Sequence, residues 1–137
     1  MKKTILILLT IVAVGLSSCK KEVIVPNDTI PNLTILKYVA PGAWQQLLNN
    51  KTLTVDIPVS EIDRDTFEND EVAVSISVGD NDTYDKVPYV YNTQSYSYQI
   101  RPGFLTLYIQ TSGDTNTVPI RPTVTTRVKI VLITSSL

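Results

Sequence analysis

The sequence predicts an all-β fold, a single β-sandwich of about seven or eight mostly antiparallel strands. From Leu33 onward, segments of four to eight residues alternate between apolar and polar side chains, which is the period of a strand with one buried face. Gly, Pro, Asn and Asp separate these segments, as they separate the strands of antiparallel sheets. The same region has no long amphipathic helix pattern. Two sheets packed face to face are the usual way to bury such strands.

The clearest strands are residues 52–59 and 71–78, in which every second residue is aliphatic. Strict alternation over a whole segment is typical of a strand that packs one face on a core and leaves the other to water. We therefore expect both segments to contribute one face to the same core. The aliphatic residues are Leu53, Val55, Ile57 and Val59 in the first strand, and Val72, Val74, Ile76 and Val78 in the second.

The connection between these two strands predicts one short helical turn. Residues 60–63 (Ser-Glu-Ile-Asp) resemble a helix N-cap. Ile62 and Phe67 are the apolar residues that would hold the turn against the core, and Asn69-Asp70 would end it.

Residues 87–110 begin with a tyrosine-rich hairpin. A loop within residues 92–95, of either two or four residues, places all the tyrosines of the hairpin on one side. Cross-strand aromatic pairs contribute roughly 0.2–1 kcal/mol each. The facing pairs that we predict are Tyr91 with Tyr96, Tyr89 with Tyr98, and Val87 with Ile100.

Pro102-Gly103 turns the chain after the hairpin. Residues 104–110 either pair back directly, with Leu105, Leu107 and Ile109 beside the tyrosine strand, or pass through an arch into the second sheet. The arch stays open because a type II turn matches the twist of paired strands poorly. Both routes bury the same residues.

The C-terminal part predicts one more strand, residues 127–134, after a polar loop at 111–117. Between them, residues 118–122 read as an edge segment in which Pro119 and Pro122 lie exposed and block pairing with another chain. Residues 33–137 therefore form one β-sandwich domain, immunoglobulin-like in general architecture.

Composition excludes several function classes. The 137-residue chain has no histidine and one cysteine, which excludes His-dependent triads, Cys–His pairs, an intrachain disulfide and nearly all zinc chemistry. Removal of residues 1–18, which hold two lysines and no acid, leaves 10 basic and 13 acidic residues, a net charge of about −3. Scattered basic residues on a weakly acidic chain argue against nucleic acid as a partner.

The N-terminus has the three parts of an export signal. Met1-Lys2-Lys3 is basic, residues 4–16 are apolar, and Leu16-Ser17-Ser18-Cys19 follows. An apolar run of about a dozen residues is the core of a signal peptide, because a membrane span needs about 20. Residues 1–18 are therefore predicted to be a signal peptide.

Leu16-Ser17-Ser18-Cys19 resembles the lipobox of bacterial lipoproteins. The resemblance implies a diacylglycerol thioether on the Cys19 sulfur, cleavage before Cys19, and a further fatty acyl chain such as palmitate on the new amino group. Several acyl chains exceed what stable membrane anchoring requires. The alternative is a plain secretory signal followed by a free thiol. Residues 19–32, which contain two prolines, then form a lipidated flexible tether.

The residues after Cys19 bear on location. By the same resemblance, Lys20-Lys21-Glu22, with no Asp after the cysteine, disfavours retention in an inner membrane. It also matches in part the charged signal of surface-exposed lipoproteins. We predict an outer-membrane lipoprotein, and both the periplasmic and the cell-surface orientation remain open.

The chain beyond Cys19 is also similar to small Bacteroidota-type envelope lipoproteins that consist of a tether and one β-sandwich. The features that carry this resemblance are the alternating strands, the Tyr/Ser strand at residues 95–98, the Pro102-Gly103 turn and the C-terminal strand. Members of that class mostly lack an assigned activity, so the resemblance implies fold and location only.

Three aromatic residues are candidate ligand contacts. Phe104 and Tyr108 lie on the polar face of their strand, beside Thr106 and Gln110, where they would stack on a flat ligand. Trp44, after Pro41-Gly42, is either a ligand contact at a loop tip or a plug over one end of the sandwich. The four tyrosines of the hairpin either stack on sugars or belong to the core, and we favour the core.

Two acidic motifs have competing interpretations. Asp80, Asp82 and Asp85, with Asn81, have oxygen ligands spaced as in a calcium loop, but the central Gly and terminal Glu of that motif are absent, so we expect a solvated loop and no metal. Asp28-Thr29-Ile30 in the tether resembles the short O-glycosylation motif of Bacteroidota exported proteins.

The sequence favours a non-catalytic, lipid-anchored envelope protein that binds a protein partner or has a structural role, without a cofactor. Glu61, Asp63 and Asp65 cluster on a predicted exposed turn, with no second group to form an acid–base pair across a cleft. The alternatives are a carbohydrate-binding accessory lipoprotein that uses exposed aromatics, and a fimbrial or assembly subunit.

Overall fold

The described residues form a two-sheet, entirely antiparallel β-sandwich with one short helix. The computed structural model describes residues 31–48, 50–79, 82–113 and 117–135. A 3-10 turn (Pro41–Ala43) and helix α1 (Arg64–Asn69) are the helical elements of this part. The strands are β1 (Leu33–Val39), β2 (Gln45–Gln46), β3 (Thr52–Pro58), β4 (Glu71–Val78), β5 (Asp85–Val87), β6 (Tyr89–Tyr91), β7 (Gln94–Arg101), β8 (Phe104–Thr111) and β9 (Thr126–Ile133).

The two sheets confirm the predicted β-sandwich. Sheet A has the strand order β1-β9-β4-β5, and sheet B has the order β2-β3-β8-β7-β6. The described part of the chain contains nine strands rather than seven or eight. The difference comes from β2, which has two residues and is too short to show an alternating pattern, and from the first strand of the predicted tyrosine hairpin, which is divided at Pro88 into β5 and β6.

The core lies between the inner faces of the two sheets. The alternation in β3 and β4 is confirmed, since every aliphatic residue predicted to face inward there is buried except Val78, which is half-buried. The neighbouring strands, β8 beside β3 in sheet B and β9 beside β4 in sheet A, bury their alternate residues almost completely. The buried core residues from these two central strands are Leu105, Leu107, Ile109, Val128, Ile130 and Leu132.

Helix α1 closes the end of the sandwich at which β3 ends and β4 begins. Ile62 is fully buried and Phe67 packs against the core, as the sequence predicted. The N-cap lies within the predicted segment, residues 60–63. Asp63 is the N-cap, because its carboxylate accepts a hydrogen bond from the Thr66 N–H at 2.8 Å, and the helix ends at Asn69.

The tyrosine hairpin has a different register from the predicted one. Asn92 and Thr93 form a two-residue turn with φ values of 49° and 65°, the left-handed pair that a type I′ hairpin requires. Tyr89 therefore faces Tyr96, and Tyr91 faces Gln94. The predicted partners were shifted by two residues, because moving the turn by one position along the chain changes each facing partner by two and leaves the same side chains on each face.

Val87 was also predicted in the wrong sheet. It lies in β5 of sheet A, opposite Val74, and does not face Ile100 of sheet B. The chain passes from sheet A to sheet B at Pro88, which follows a cis peptide bond, and β6 begins at the next residue.

The Pro102-Gly103 turn joins β7 and β8 directly. Ile100 faces Leu105 and Tyr98 faces Leu107, so the direct pairing is found and the arch is not. Gly103 adopts a φ of 83°, which favours glycine. Its N–H donates to the Ile62 carbonyl at 2.7 Å and its carbonyl accepts from the Val59 N–H at 2.9 Å. The turn is thereby fixed to the segment that leads into α1.

Residues 118–122 do not form the predicted exposed edge segment. Pro119 and Pro122 are both buried, and residues 117–125 cross the end of the sandwich opposite to α1. The Ile120 N–H donates to the Gln94 side chain at 2.6 Å, and the Arg121 guanidinium donates to the Trp44 carbonyl. Proline suits this segment because its backbone bonds to side chains and loops rather than to a neighbouring strand.

The predicted signal peptide, Cys19, residues 19–30 of the tether and the Asp28-Thr29-Ile30 motif lie outside the described residues. In the part of the chain that is described, no helix has the length and apolar character needed to cross a membrane.

Candidate binding surfaces

The outer surface of sheet B carries Phe104 and Tyr108, and we call it the polar face. Alternation turns the aliphatic residues of β3 and β8 inward and leaves polar and aromatic side chains outside. Cross-strand pairing arranges them in four rows, and each row has one residue from β3, one from β8 and one from β7. The rows are Thr52, Gln110 and Ser95; Thr54, Tyr108 and Ser97; Asp56, Thr106 and Gln99; and Pro58, Phe104 and Arg101.

Phe104 belongs to an ordered cluster around Asp56. The carboxylate of Asp56 accepts from the Arg101 guanidinium at 2.7 Å and from the Thr106 hydroxyl at 2.6 Å. The same guanidinium lies over the Phe104 ring, 4.3 Å from its centroid. An arginine already stacked on the ring occupies a position that a flat ligand would need. Phe104 is therefore a poorer stacking platform than its place on the strand predicted.

Tyr108 has a more open setting. Its cross-strand neighbours are Thr54 and Ser97, both small, and its hydroxyl donates to the Gln99 amide oxygen at 3.0 Å. At about 3.4 Å per residue, the separation of four positions between Phe104 and Tyr108 places the two rings roughly 14 Å apart along the strand. A single small ring compound cannot contact both. Tyr108 is thus the separate stacking candidate on this face.

Trp44 is the plug, not the ligand contact. Its side chain is only 2% exposed and forms part of the core. The 3-10 turn at Pro41–Ala43 leads the chain from β1 over the end of the sandwich and sets the indole inside. Because ligand stacking needs an accessible ring, the prediction of Trp44 as a ligand contact is wrong.

The two ends of the sandwich differ. The N-terminal end, as we call it, is where β1 begins at Leu33 and where α1 and the Pro102-Gly103 turn lie. The far end is where β1 finishes and residues 117–125 cross over Trp44. The far-end segment, residues 117–125, exposes three aliphatic side chains although its prolines are buried. They are Val118 (51% exposed), Ile120 (63%) and Val124 (45%).

Three of the four hairpin tyrosines lie in the interior, as the sequence favoured. Tyr96 is buried and stacks on the half-buried Tyr89, with ring centroids 4.7 Å apart and planes 12° from parallel. Tyr98 is half-buried and donates its hydroxyl to the Val72 carbonyl of sheet A. Tyr91, at the end of β6, is 69% exposed.

A cleft opens beside these tyrosines, between edge strands β5 and β6. We call it the tyrosine cleft. It has a volume of about 350 Å³ and is lined by Val78, Thr83, Asp85, Tyr89, Tyr91 and Tyr96. No sequence pattern indicated this cleft. Asp85 comes from sheet A and the tyrosines from sheet B, and no sequence spacing shows that these two edges meet.

Two tyrosines of the cleft, Tyr89 and Tyr96, have raised pKa values. Burial raises the pKa of Tyr89 to about 12, and the neighbouring Tyr96, the Asp85 charge and Tyr91 add to the shift. Burial, with a smaller contribution from Tyr91, also raises the pKa of Tyr96. Neutral phenols offer both a hydroxyl hydrogen and an oxygen acceptor to a ligand.

The acidic residues near α1 have structural partners. Asp63 caps the helix, and Asp65 accepts from the Asn69 amide at 2.7 Å. The pKa of Glu61 is lowered by a backbone hydrogen bond, by the Ser60 hydroxyl and by the Lys37 charge. A carboxyl with a lowered pKa is a poor general acid at neutral pH. Within residues 31–135 that are described, no three potential metal ligands gather at one point.

The comparisons with known proteins give no relative. No family model, no curated protein and no solved structure matches this chain.

Proposed function

We propose that this protein is a non-catalytic, lipid-anchored binding protein of a bacterial outer membrane, held through Cys19, and that its far end binds a protein partner. The observation that carries the proposal is the position of the exposed aliphatic side chains of the far-end segment. They lie at the end of the domain opposite to Leu33, where the chain from Cys19 enters.

An anchored domain presents its far end to partners. Strands of eight residues make the sandwich about 27 Å long, and the tether of residues 19–32 adds reach at the N-terminal end. A surface next to the lipid is sterically restricted, whereas one at the opposite end is accessible from the surrounding compartment. The side chains of Val118, Ile120 and Val124 have this accessible position.

The far-end segment is also held in place, which favours binding. Gln94 is buried and accepts the Ile120 N–H, and Arg121 donates to the carbonyls of Trp44 and Pro41. A surface ordered before binding loses less conformational entropy when a partner docks. Exposed aliphatic side chains on such a surface gain free energy when a complementary apolar surface covers them.

The absence of catalysis is supported by the residue inventory. The chain has no histidine, and the carboxylates of the α1 region serve as a helix cap and as hydrogen-bond acceptors.

The anchor is tested by Cys19→Ala in the full chain. We expect this variant to leave the membrane fraction and to lose the mass of its acyl chains. Membrane association and mass unchanged by the substitution would contradict the anchor. Protease treatment of intact cells then distinguishes a cell-surface from a periplasmic domain.

The partner surface is tested with a photo-crosslinking amino acid at position 120 in intact cells. We expect one dominant crosslinked protein that disappears when Val118→Glu is added. The matched control has the crosslinker at Leu36, an exposed aliphatic residue on the outer face of sheet A. Equal crosslinking from positions 36 and 120, or no effect of Val118→Glu, would contradict a far-end partner site.

Carbohydrate binding is the second candidate, and the setting of Tyr108 favours it. An aromatic ring between small hydroxyl side chains, next to the amides of Gln99 and Gln110, suits a flat polyhydroxylated chain. Affinity electrophoresis against envelope and dietary polysaccharides tests it. We expect retardation that Tyr108→Ala removes and that Tyr38→Ala, on the opposite sheet, leaves intact. Unchanged mobility on every polysaccharide would exclude this candidate.

A further inference from the structure

The tyrosine cleft is distinct from the far-end segment and from the polar face. It lies on the side of the sandwich, where the edge of sheet A meets the edge of sheet B. Its walls bring together one carboxylate, from Asp85, and three phenol rings, from Tyr89, Tyr91 and Tyr96. Neither the membrane anchor nor a far-end partner uses these groups.

The charge of the cleft has one sign. Among the described residues that line it, Asp85 is the charged one, and none is a lysine or an arginine. Its neighbour Lys86 points to the opposite side of the strand, as alternation requires. The carboxylate also lies close enough to raise the pKa of Tyr89. The potential inside the cleft is therefore negative.

The rings add a second attraction for positive charge. The face of a phenol ring carries partial negative charge and attracts cations by about 0.5–2 kcal/mol. Tyr89 and Tyr96 are fixed against each other as a stacked pair, and Tyr91 stands exposed beside them. A fixed aromatic wall beside a carboxylate is suited to an organic cation that is apolar on one side and charged on the other.

We propose that the tyrosine cleft binds a primary alkylammonium group, with the Asp85 carboxylate accepting from the ammonium and the tyrosine rings contacting the alkyl chain. Three N–H donors match the carboxylate and phenol oxygens that the cleft presents. A cleft of about 350 Å³ is at the small end of the range for ligand sites. An amine of four or five carbons fits this size better than a bulky ligand.

The alkylammonium group has two sources, a free small amine or a lysine side chain of a partner protein. Both present the same chemistry to Asp85. Binding of butylammonium alone indicates a small-amine site, whereas tighter binding of a lysine-containing tripeptide indicates recognition of a peptide.

The experiment measures binding to the full-length chain in detergent by titration calorimetry. The probes are butylammonium and Gly-Lys-Gly, and their uncharged counterparts are butanol and the norleucine tripeptide, all at matched ionic strength. We expect both ammonium probes to bind and both neutral ones to bind at least about tenfold more weakly, since a charge-assisted hydrogen bond is lost.

The variant Asp85→Asn keeps the shape of the side chain and removes its charge. We expect it to weaken ammonium binding about tenfold, and Tyr91→Ala to weaken it several-fold. Asp56→Asn, at a carboxylate of the polar face, is the matched control and should leave affinity unchanged. Circular dichroism identifies variants that fold. If Asp85→Asn fails to fold, Tyr91→Ala decides the question.

The proposal is overturned if charged and neutral probes bind equally, or if Asp85→Asn and Asp56→Asn have the same effect. Because none of these measurements involves the far-end segment or the lipid, failure here leaves the proposed function untouched.

Discussion

The hydroxyl of Tyr98 donates a 2.7 Å hydrogen bond to the main-chain carbonyl of Val72, across the interface between the two sheets. Tyr98 lies in β7 of sheet B and Val72 in β4 of sheet A. Strand β5 pairs only with residues 74–76 of β4, so at Val72 the strand has a paired neighbour on one side only. The tyrosine supplies a polar contact on the side that β5 does not reach.

Removal of this hydroxyl should destabilise the domain. We expect Tyr98→Phe to lower the free energy of unfolding by about 1 kcal/mol, the net value of one hydrogen bond. Urea denaturation followed by circular dichroism measures it. Tyr38→Phe is the control, because that ring is 67% exposed on β1. Equal midpoints for the two variants would mean that the bridge contributes nothing.

The cap of α1 gives a second prediction. Asp63→Ala removes the acceptor of the Thr66 N–H and should cost about 1 kcal/mol of stability. Asp63→Asn should recover most of it, because asparagine is an equally good N-cap. The same denaturation experiment applies. An alanine variant as stable as the asparagine variant would contradict the capping role.

The third prediction concerns Gly103. A Cβ at this position has open space, but the φ of 83° disfavours any L side chain. We expect Gly103→Ala to lower the free energy of unfolding by about 1–2 kcal/mol through backbone strain alone. Gly42→Ala is the matched control, because its Cβ position is also open and its φ is not in the left-handed range. A Gly103→Ala domain no less stable than the control would show that the turn relaxes without cost.

Alkaline pH should destabilise the domain. The pKa of Tyr89 is raised to about 12, and the pKa values of Tyr96 and Tyr98 are raised as well, with burial as the main cause. The unfolded chain releases these protons near pH 10, whereas the folded state retains them. Stability is therefore fully present below about pH 10 and falls as the pH rises from there toward about 12.

The measurement is the urea midpoint at a series of pH values from 8 to 11.5. We expect a constant midpoint up to about pH 9.5 and a steady decrease above it. Tyr89→Phe should make that decrease shallower, which separates the tyrosine from the lysines that titrate in the same range. A slope that is the same in this variant would contradict the assignment to Tyr89.

Local patterns predicted the interior of the two sheets well. Alternation in β3, β4 and β8 identified the inward residues because a strand has a fixed period of two and one face must leave water. The short helix and its contacts through Ile62 and Phe67 were also predictable, since helix caps and apolar anchors are local in sequence. The residue of the segment 60–63 that caps the helix was not predictable, because serine and aspartate both accept such bonds.

Long-range pairing could not be derived in the same way. The register of the tyrosine hairpin depended on where within residues 92–95 the turn lies, and a shift of the turn by one position keeps the same face buried. The far-end segment was misjudged for a related reason. Pro119 and Pro122 are compatible with an exposed edge or with a buried crossing, and the bonds to Gln94 and Trp44 that select the crossing join residues 26 and 77 positions apart.

The candidate surfaces were likewise predictable only where they depend on alternation within one strand. Phe104 and Tyr108 were placed on the outer face by alternation alone, but the arginine over Phe104 and the burial of Trp44 depend on neighbours from other strands. The tyrosine cleft had no sequence signal, since Asp85 and Tyr91 lie at the edges of different sheets.

The sequence by itself determined that the domain is built of antiparallel strands and which residues of the longer strands face inward, because hydrophobic alternation is set residue by residue. Only the tertiary structure decided which edges meet and which surfaces they form. Strand pairing and sheet packing depend on contacts between residues far apart in the chain, and no local pattern encodes them.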